Sequence, residues 1–153
     1  MPSSKIKTGN YRISKTINAP LKFVYEWCTD FRDDDGKLTG SKSKRHVIEK
    51  AKNRAIYVVD YVVNGKSTWH ASVIALKPPD SWHLETACDP YESETGEYKL
   101  TPLGKKKTRL DMVFRVKYNN PPYKIDSKKE WEKDTHDFWD KLILALDLDY
   151  QDS

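Results

Sequence analysis

The chain has little sulfur, few glycines and no long apolar run, and each shortage argues against a class of protein. Cys28 and Cys88 are its only cysteines. They stand far apart, with no CxxC spacing and no neighbouring histidine. That argues against a disulfide framework and against a zinc site, and it suits a reducing compartment. His46, His70, His83 and His136 show no metal-ligand spacing, so no metal is expected and a surface role is the default for each. The six glycines form no phosphate-cradling loop and no nucleophile elbow, and no Ser–His–Asp order appears. No cofactor is expected. No apolar stretch is long enough to span a bilayer, and Met1-Pro2-Ser3-Ser4-Lys5 carries no apolar signal region. The expected location is the cytoplasm.

What is present is charge and aromatic rings. At 153 residues, 33% of them charged and 37% hydrophobic, the chain is expected to form one domain, 1–153, with an ordered core from about residue 10 to 149. Five tryptophans and nine tyrosines stand out in so modest a core, because large rings pack irregularly and make good ligand contacts. The net charge of +4 is uneven: residues 132–153 hold seven acids and two bases. Bases concentrate in 37–54 (Lys37, Lys42, Lys44, Arg45, Lys50, Lys52 and Arg54) and in Lys105-Lys106-Lys107 with Arg109. No aromatic is interleaved in either run, so these read as solvated surfaces and no nucleic-acid partner is expected.

Periodicity orders the elements. Tyr11, Ile13 and Ile17 alternate with polar residues as a first strand. Asn18-Ala19-Pro20 breaks it, with Pro20 fitting the first position of a helix that continues through Leu21, Val24, Tyr25 and Cys28. Asp33-Asp34-Asp35-Gly36 resembles the start of a calcium loop but lacks the flanking ligands, leaving a polar turn after a second short helix. Strands follow at 47–50, 55–63, 69–76, 82–87, 94–100 and 108–118, punctuated by Lys52-Asn53, Asn64-Gly65, Pro78-Pro79-Asp80, Asp89-Pro90 and Pro102-Leu103-Gly104-Lys105. Gly96, alone within a strand, predicts a bulge that bends the sheet. Pro121-Pro122 ends the strands. Ser127-Lys128-Lys129-Glu130 is a capping box that starts a last helix running to about Asp147, with Trp131, Thr135, Phe138, Leu142 and Leu146 as its buried stripe and Trp139 and Ile143 widening it.

This order of elements resembles the START-related, birch-pollen-allergen-like superfamily, which includes polyketide cyclase-like proteins. The residues that carry the likeness are Ile17-Asn18-Ala19-Pro20 with Val24-Tyr25, Pro78-Pro79 before Trp82, Tyr98-Lys99-Leu100-Thr101-Pro102 through Thr108-Arg109-Leu110, and the closing helix. The resemblance implies an α+β, helix-grip fold: a curved antiparallel sheet of about six to seven strands wrapped around a long C-terminal helix, with two short helices after the first strand. It implies a lipid-like, aromatic or polyketide-like ligand held between sheet and helix. No catalytic motif of that family maps onto this chain.

A two-residue loop at Asn64-Gly65 places Asp60 opposite Trp69, and side chains facing each other across a ladder share a face. One set is then Ile56, Val58, Asp60, Val62, Trp69, Ala71 and Val73. The other is Tyr57, Val59, Tyr61, Thr68, His70 and Ser72. The first is the more apolar and is expected to point inward; a loop of odd length would exchange the sets. The expected ligand-binding wall is Asp60, Trp69, Trp82, Leu84, Tyr98, Met112, Phe114, Trp131, Thr135 and Phe138. Asp60 needs a partner such as Lys15 or His70, or a function, because an unpaired carboxylate among rings is costly.

Three functions fit this pattern. The first is a carrier or sensor of a small hydrophobic molecule. The second is a polyketide cyclase- or dehydratase-like enzyme with Asp60 and Tyr98 as acid and base. The third is a chaperone-activator-like module whose protein partner meets the basic stretch and the acidic helix.

Overall fold

The computed structural model describes residues 7–31, 43–63, 65–88, 92–118 and 128–153. Seven strands and two helices follow one another as β1 (Lys7–Ile17), α1 (Leu21–Cys28), β2 (Lys44–Lys50), β3 (Arg54–Val63), β4 (Lys66–Lys77), β5 (Ser81–Ala87), β6 (Glu92–Pro102), β7 (Thr108–Tyr118) and α2 (Lys128–Gln151). The strands form one antiparallel sheet in the order β1-β7-β6-β5-β4-β3-β2. From β3 to β7 each strand pairs with the one before it, and β7 then takes β1 on its free side. The connection from β1 to β2 therefore spans the sheet, and α1 lies on it.

Local chemistry explains the corner between β1 and α1. Pro20 is the N-cap of α1, one position earlier than its fixed φ suggested, and its carbonyl accepts from Val24 N at 3.0 Å. Thr108 Oγ1, fully buried on β7, donates to Ala19 O at 2.8 Å and ties the corner to the sheet. Thr29 closes the helix by donating its amide and its hydroxyl to Tyr25 O, at 3.0 and 2.6 Å. The second short helix and the Asp33–Gly36 turn fall on residues outside the described ones, as do Asn64, Pro121-Pro122 and Ser127.

The sheet has two unlike faces. The inner face packs Ile13, Ile17, Ile74, Trp82, Leu100, Leu110, Met112, Phe114 and Val116 into a core joined by Val24 of α1 and by Trp139 and Leu146 of α2. Lys15, also on this side, reaches Asp140 of α2 at 2.8 Å. The outer face is charged along β5 to β7: Arg109 bonds Asp111, Lys99 bonds Asp80, and the His83 ring lies between Glu85 and Glu97. Burial draws the His83 pKa down, but hydrogen bonds donated to both glutamates outweigh it and raise the value above its ordinary one.

Two expectations need correcting here. Gly96 makes no bulge: its pairing with Leu84 and with Phe114 is in regular register. The one register shift in the ladders described is between Val47 and Glu49 on β2. The stripe of α2 is also turned from the expected one. Trp139 and Leu146 are buried with Leu142, Ile143 and Tyr150 beside them, whereas Phe138 is 43% exposed. The helix contacts Phe23 of α1 through Tyr150, with ring centroids 5.0 Å apart, and Asp149 accepts from Trp27 Nε1 at 2.7 Å. Docking its C-terminal end against α1 prolongs the helix four residues past Asp147 and favours the Trp139 side over the Phe138 side.

Leu146→Ala is accordingly expected to cost about 3 kcal/mol of stability in urea unfolding, the usual range for an emptied core site. Phe138→Ala is expected to cost less than about 1 kcal/mol.

Candidate functional site

Cross-strand rows define the inner face. One row runs Ile13, Met112, Tyr98, Trp82 and Leu76 from β1 to β4. The next runs Tyr11, Phe114, Gly96, Leu84, Ile74 and Ala55. A third begins with Val116 and Glu94 and continues through Thr86, Ser72 and Tyr57. Thr86 Oγ1 joins its two halves by accepting from Glu94 N at 2.7 Å. The face thus passes from aliphatic and aromatic to polar within a few rows.

Tyr98 is the centre of this arrangement. Its ring stacks on Trp82 at 4.9 Å and 8° between planes, meets Phe114 edge-on at 5.7 Å and lies 6.0 Å from Trp139 of α2. Tyr25 of α1 abuts the other ring of the stack, Trp82, at 5.9 Å. Gly96 makes the arrangement possible. A Cβ there would stand 2.9 Å from Tyr98 Cε2 and 3.1 Å from its hydroxyl, so the bare backbone is the seat on which the ring lies. Gly9 serves Tyr11 in the same way on β1.

Electrostatics follow from burial. The Tyr98 hydroxyl is held well above its ordinary pKa, first by burial and then by Glu94, Tyr57 and Cys28 nearby. It stays a protonated donor at neutral pH. Burial also raises Tyr11, helped by Glu132 of α2, and Tyr25, helped by Asp80. Tyr57, buried beside Ser72, has Phe31 at 5.7 Å on one side and the Arg45 guanidinium 4.3 Å from its ring centroid.

The structure brings together Trp82, Leu84, Tyr98, Met112 and Phe114 as expected, and it places Thr135 half-buried on α2. The side chain of Trp131 lies outside the described residues. Asp60 and Trp69 stand opposite each other in the expected register, but on the outer face. Trp69 is 49% exposed, and the Asp60 side chain, 54% exposed, has His46 Nε2 at 2.8 Å. Neither Lys15 nor His70 is its partner in that pair.

The reason is parity. Leu76 stands opposite Trp82, so the even-numbered residues of β4 face inward and carry Ala55, Tyr57 and Val59 of β3 with them. The three-residue Pro78-Pro79-Asp80 turn, closed by Lys77 opposite Ser81, held that signal in the sequence. Counting apolar residues misled, because the outer set is richer in aliphatics than the ring-bearing inner set.

Glu94 is a carboxylate that the inner face does carry among the described side chains, half-buried across from Val116. Alternation back from Tyr98 through Gly96 reaches it, and sequence reasoning passed over it. Among the described residues no cluster of His, Cys, Asp and Glu could hold a metal ion. A hollow of about 220 Å³ bordered by Glu49, Asn53, Arg54, Val73, Ile74 and Ala75 is smaller than the usual ligand site of roughly 300 Å³ upward. The Arg54–Glu49 ion pair, with Nη2–Oε1 at 2.8 Å, lies beside it.

With the geometry in place, comparison with known proteins gives the fold a context. No family model matches the chain, and no curated protein matches it. Solved structures do. An aromatase/cyclase from a Streptomyces species superposes with a TM-score of 0.70 at 14% identity, over 92% of this chain and 94% of that one. Norcoclaurine synthase from Thalictrum flavum, a structure holding dopamine and hydroxybenzaldehyde, gives 0.66 at 10% identity, over 92% and 87%. Ara h 8.0201 gives 0.62 at 13% identity, over 92% and 98%. The fold is the helix-grip fold. The resemblance to the START-related, birch-pollen-allergen-like superfamily therefore holds at the level of fold. In this helix-grip chain no helix among the described residues is long and apolar enough to cross a membrane.

Gly96→Ala tests the seat under Tyr98. The ring is wedged among Trp82, Phe114 and Trp139 and cannot swing aside, so the substitution is expected to cost about 1–3 kcal/mol and to alter tryptophan emission. An unchanged melting curve with unchanged emission would contradict this packing.

Proposed function

We propose that this chain binds a small hydrophobic molecule with an aromatic or lipid-like body, in a cavity between the inner face of the sheet and α2, as a cytoplasmic carrier or sensor. The observation that supports the reading is the change of chemistry across the inner face. Trp82, Tyr98, Phe114 and Met112 form a buried cluster of flat and polarisable apolar groups, while Tyr57, Ser72, Thr86 and Glu94 stand one or two rows away. Sites for small molecules combine an apolar wall with a few convergent polar groups in this way. A molecule with an apolar body and one or two hydroxyl or carbonyl groups suits such a wall. Leu84 and Thr135 complete the proposed contacts. Asp60, Trp69 and Phe138 are left out of them because they lie on exposed surface.

Titration with fatty acids, sterols, flavonoids and aromatic polyketides, followed by tryptophan emission, tests the reading. A saturable change is expected for at least one class, greatly reduced in Trp82→Phe and retained in Trp69→Phe. No saturable response across the whole panel would overturn it.

A second reading, a cyclase- or dehydratase-like enzyme, is favoured by Glu94 and Tyr98 sharing one face of β6, with the Tyr98 ring laid over the bare Gly96 backbone between them. Tyr98, protonated at neutral pH, would donate a proton or a hydrogen bond to a ligand oxygen, and the Glu94 carboxylate would accept a proton from carbon or oxygen. The pair takes over the role first read for Asp60 and Tyr98. Once a turned-over ligand is in hand, Glu94→Gln is expected to lower kcat about 100-fold or more while leaving the emission titration intact. Unchanged turnover would remove Glu94 from the chemistry.

A further inference from the structure

One end of the sheet comes to a basic point. Residues 103–107, which turn β6 into β7, are all exposed and contain three lysines and no acid. Leu103, at 45% exposure, opens the turn beside exposed Pro102. Its amide donates to Lys107 O at 2.8 Å, and Gly104 takes a φ of 119° within the loop so closed. The turn also projects. Ser81 at the start of β5 pairs with Lys99, whereas β6 runs on to Pro102 opposite Thr108, three residues or roughly 10 Å further. The β4–β5 turn at the same end of the sheet adds exposed Pro78 and Pro79, with Lys77 at their base.

The acids near these turns already have partners. Asp80 bonds Lys99 and Asp111 bonds Arg109. The β1–α1 corner beside the point, residues 18–21, carries no charge. The acidic end of α2 packs against α1, where Asp149 accepts from Trp27 Nε1. Lys77, Lys105, Lys106 and Lys107 form no ion pair among the described residues. The point therefore pairs unneutralised cations with exposed leucine and proline, and that combination selects a partner. Leucine and proline side chains offer no donor to a phosphodiester or an acidic peptide, and a projecting leucine gains most by entering an apolar medium. Lysine supplies point charge without the planar fork of arginine. Neither turn holds an aromatic ring to stack on a base. The boundary of an anionic bilayer suits both groups, with headgroups for the cations and acyl chains for the leucine.

We propose that the β6–β7 turn, with the β4–β5 turn beside it, docks on an anionic lipid surface. Leu103 enters the headgroup layer, and Lys105, Lys106, Lys107 and Lys77 lie among the lipid phosphates and carboxylates. The stem is firm, since β6 and β7 stay paired up to Pro102 and Thr108, and the buried Thr108 hydroxyl is bonded to Ala19 O at 2.8 Å. Docking is reversible, because one leucine and four lysines fall short of a stable anchor. The inner face takes no part, which makes this inference independent of the ligand reading.

Co-sedimentation of the full chain with vesicles tests it. Binding is expected to vesicles of phosphatidylcholine and phosphatidylserine in equal parts, to weaken as salt is added, and to be absent with phosphatidylcholine alone. Replacing Lys105, Lys106 and Lys107 together by Glu is expected to lower the partition coefficient about a hundredfold or more, at roughly fivefold for each lysine. The same three changed to Gln repeat the test with no charge reversed. Leu103→Ser, which leaves the charge alone, is expected to lower it about tenfold. Lys66→Glu, Lys117→Glu and Lys133→Glu combined change the net charge as the first triple does, at exposed positions away from both turns, and are expected to retain most of the binding. Circular dichroism is expected to match the wild type throughout, since every position is exposed. No binding to the mixed vesicles overturns the proposal. So does equal loss in the two charge-reversed triples, wild-type binding by Leu103→Ser, or binding of a DNA duplex while the vesicles stay free.

Discussion

Trp82 and Tyr98 stack across β5 and β6, and the closure of the inner face leans on that pair. Tyr25 brings α1 onto one ring of the stack and Trp139 brings α2 onto the other. Phe114 and Met112 extend the contact toward β1. The stack requires a glycine two residues before Tyr98, since any Cβ at position 96 would occupy the place of the ring. A single backbone position thus sets where the large rings lie, and the rings set where both helices rest. Burial of this much aromatic surface is worth more than its area alone, because stacked and edge-on rings each add about 0.5–1.5 kcal/mol.

The same cluster shapes the chemistry. Close packing around Tyr98 removes water from its hydroxyl, and the neighbouring Glu94 opposes its ionisation further. A tyrosine kept protonated beside a carboxylate is suited to hold a ligand oxygen and to exchange a proton with it. Carrier and enzyme readings draw on the same residues and differ only in whether the bound molecule is altered. Solved structures with this fold include an aromatase/cyclase and norcoclaurine synthase, and at 10–14% identity the likeness is one of fold.

Much of this is legible in the sequence. Period-two alternation located the strands. Asn64-Gly65 placed Asp60 opposite Trp69, and the structure has that pairing. The stripe of the last helix included Leu142 and Leu146 correctly. What failed was facing, since alternation says which residues share a side and not which side is covered. The apolar count chose the side with Ile56, Val62, Trp69 and Val73, whereas the covered side carries Tyr57, Ser72 and Ile74. The count works when one face is wet, and here the outer face of β2–β4 is apolar too. Gly96 was misread for a related reason: glycine in a strand marks either a bulge or a close approach, and only the position of the Tyr98 ring decides between them. Glu94 is within reach of the same alternation that gives Tyr98, but a lone acid near a turn is a weaker signal than Asp60 among valines.

The measurement that bears most directly on the central claim is methyl and indole NMR during ligand titration. The chain has two methionines, of which Met112 lies in the inner-face row beside Tyr98, and five tryptophans. If a small hydrophobic molecule binds between the sheet and α2, the Met112 methyl and the Trp82 and Trp139 indoles shift together with one affinity while the Trp69 indole stays still. Shifts confined to Trp69, with Met112 unmoved, would contradict the account.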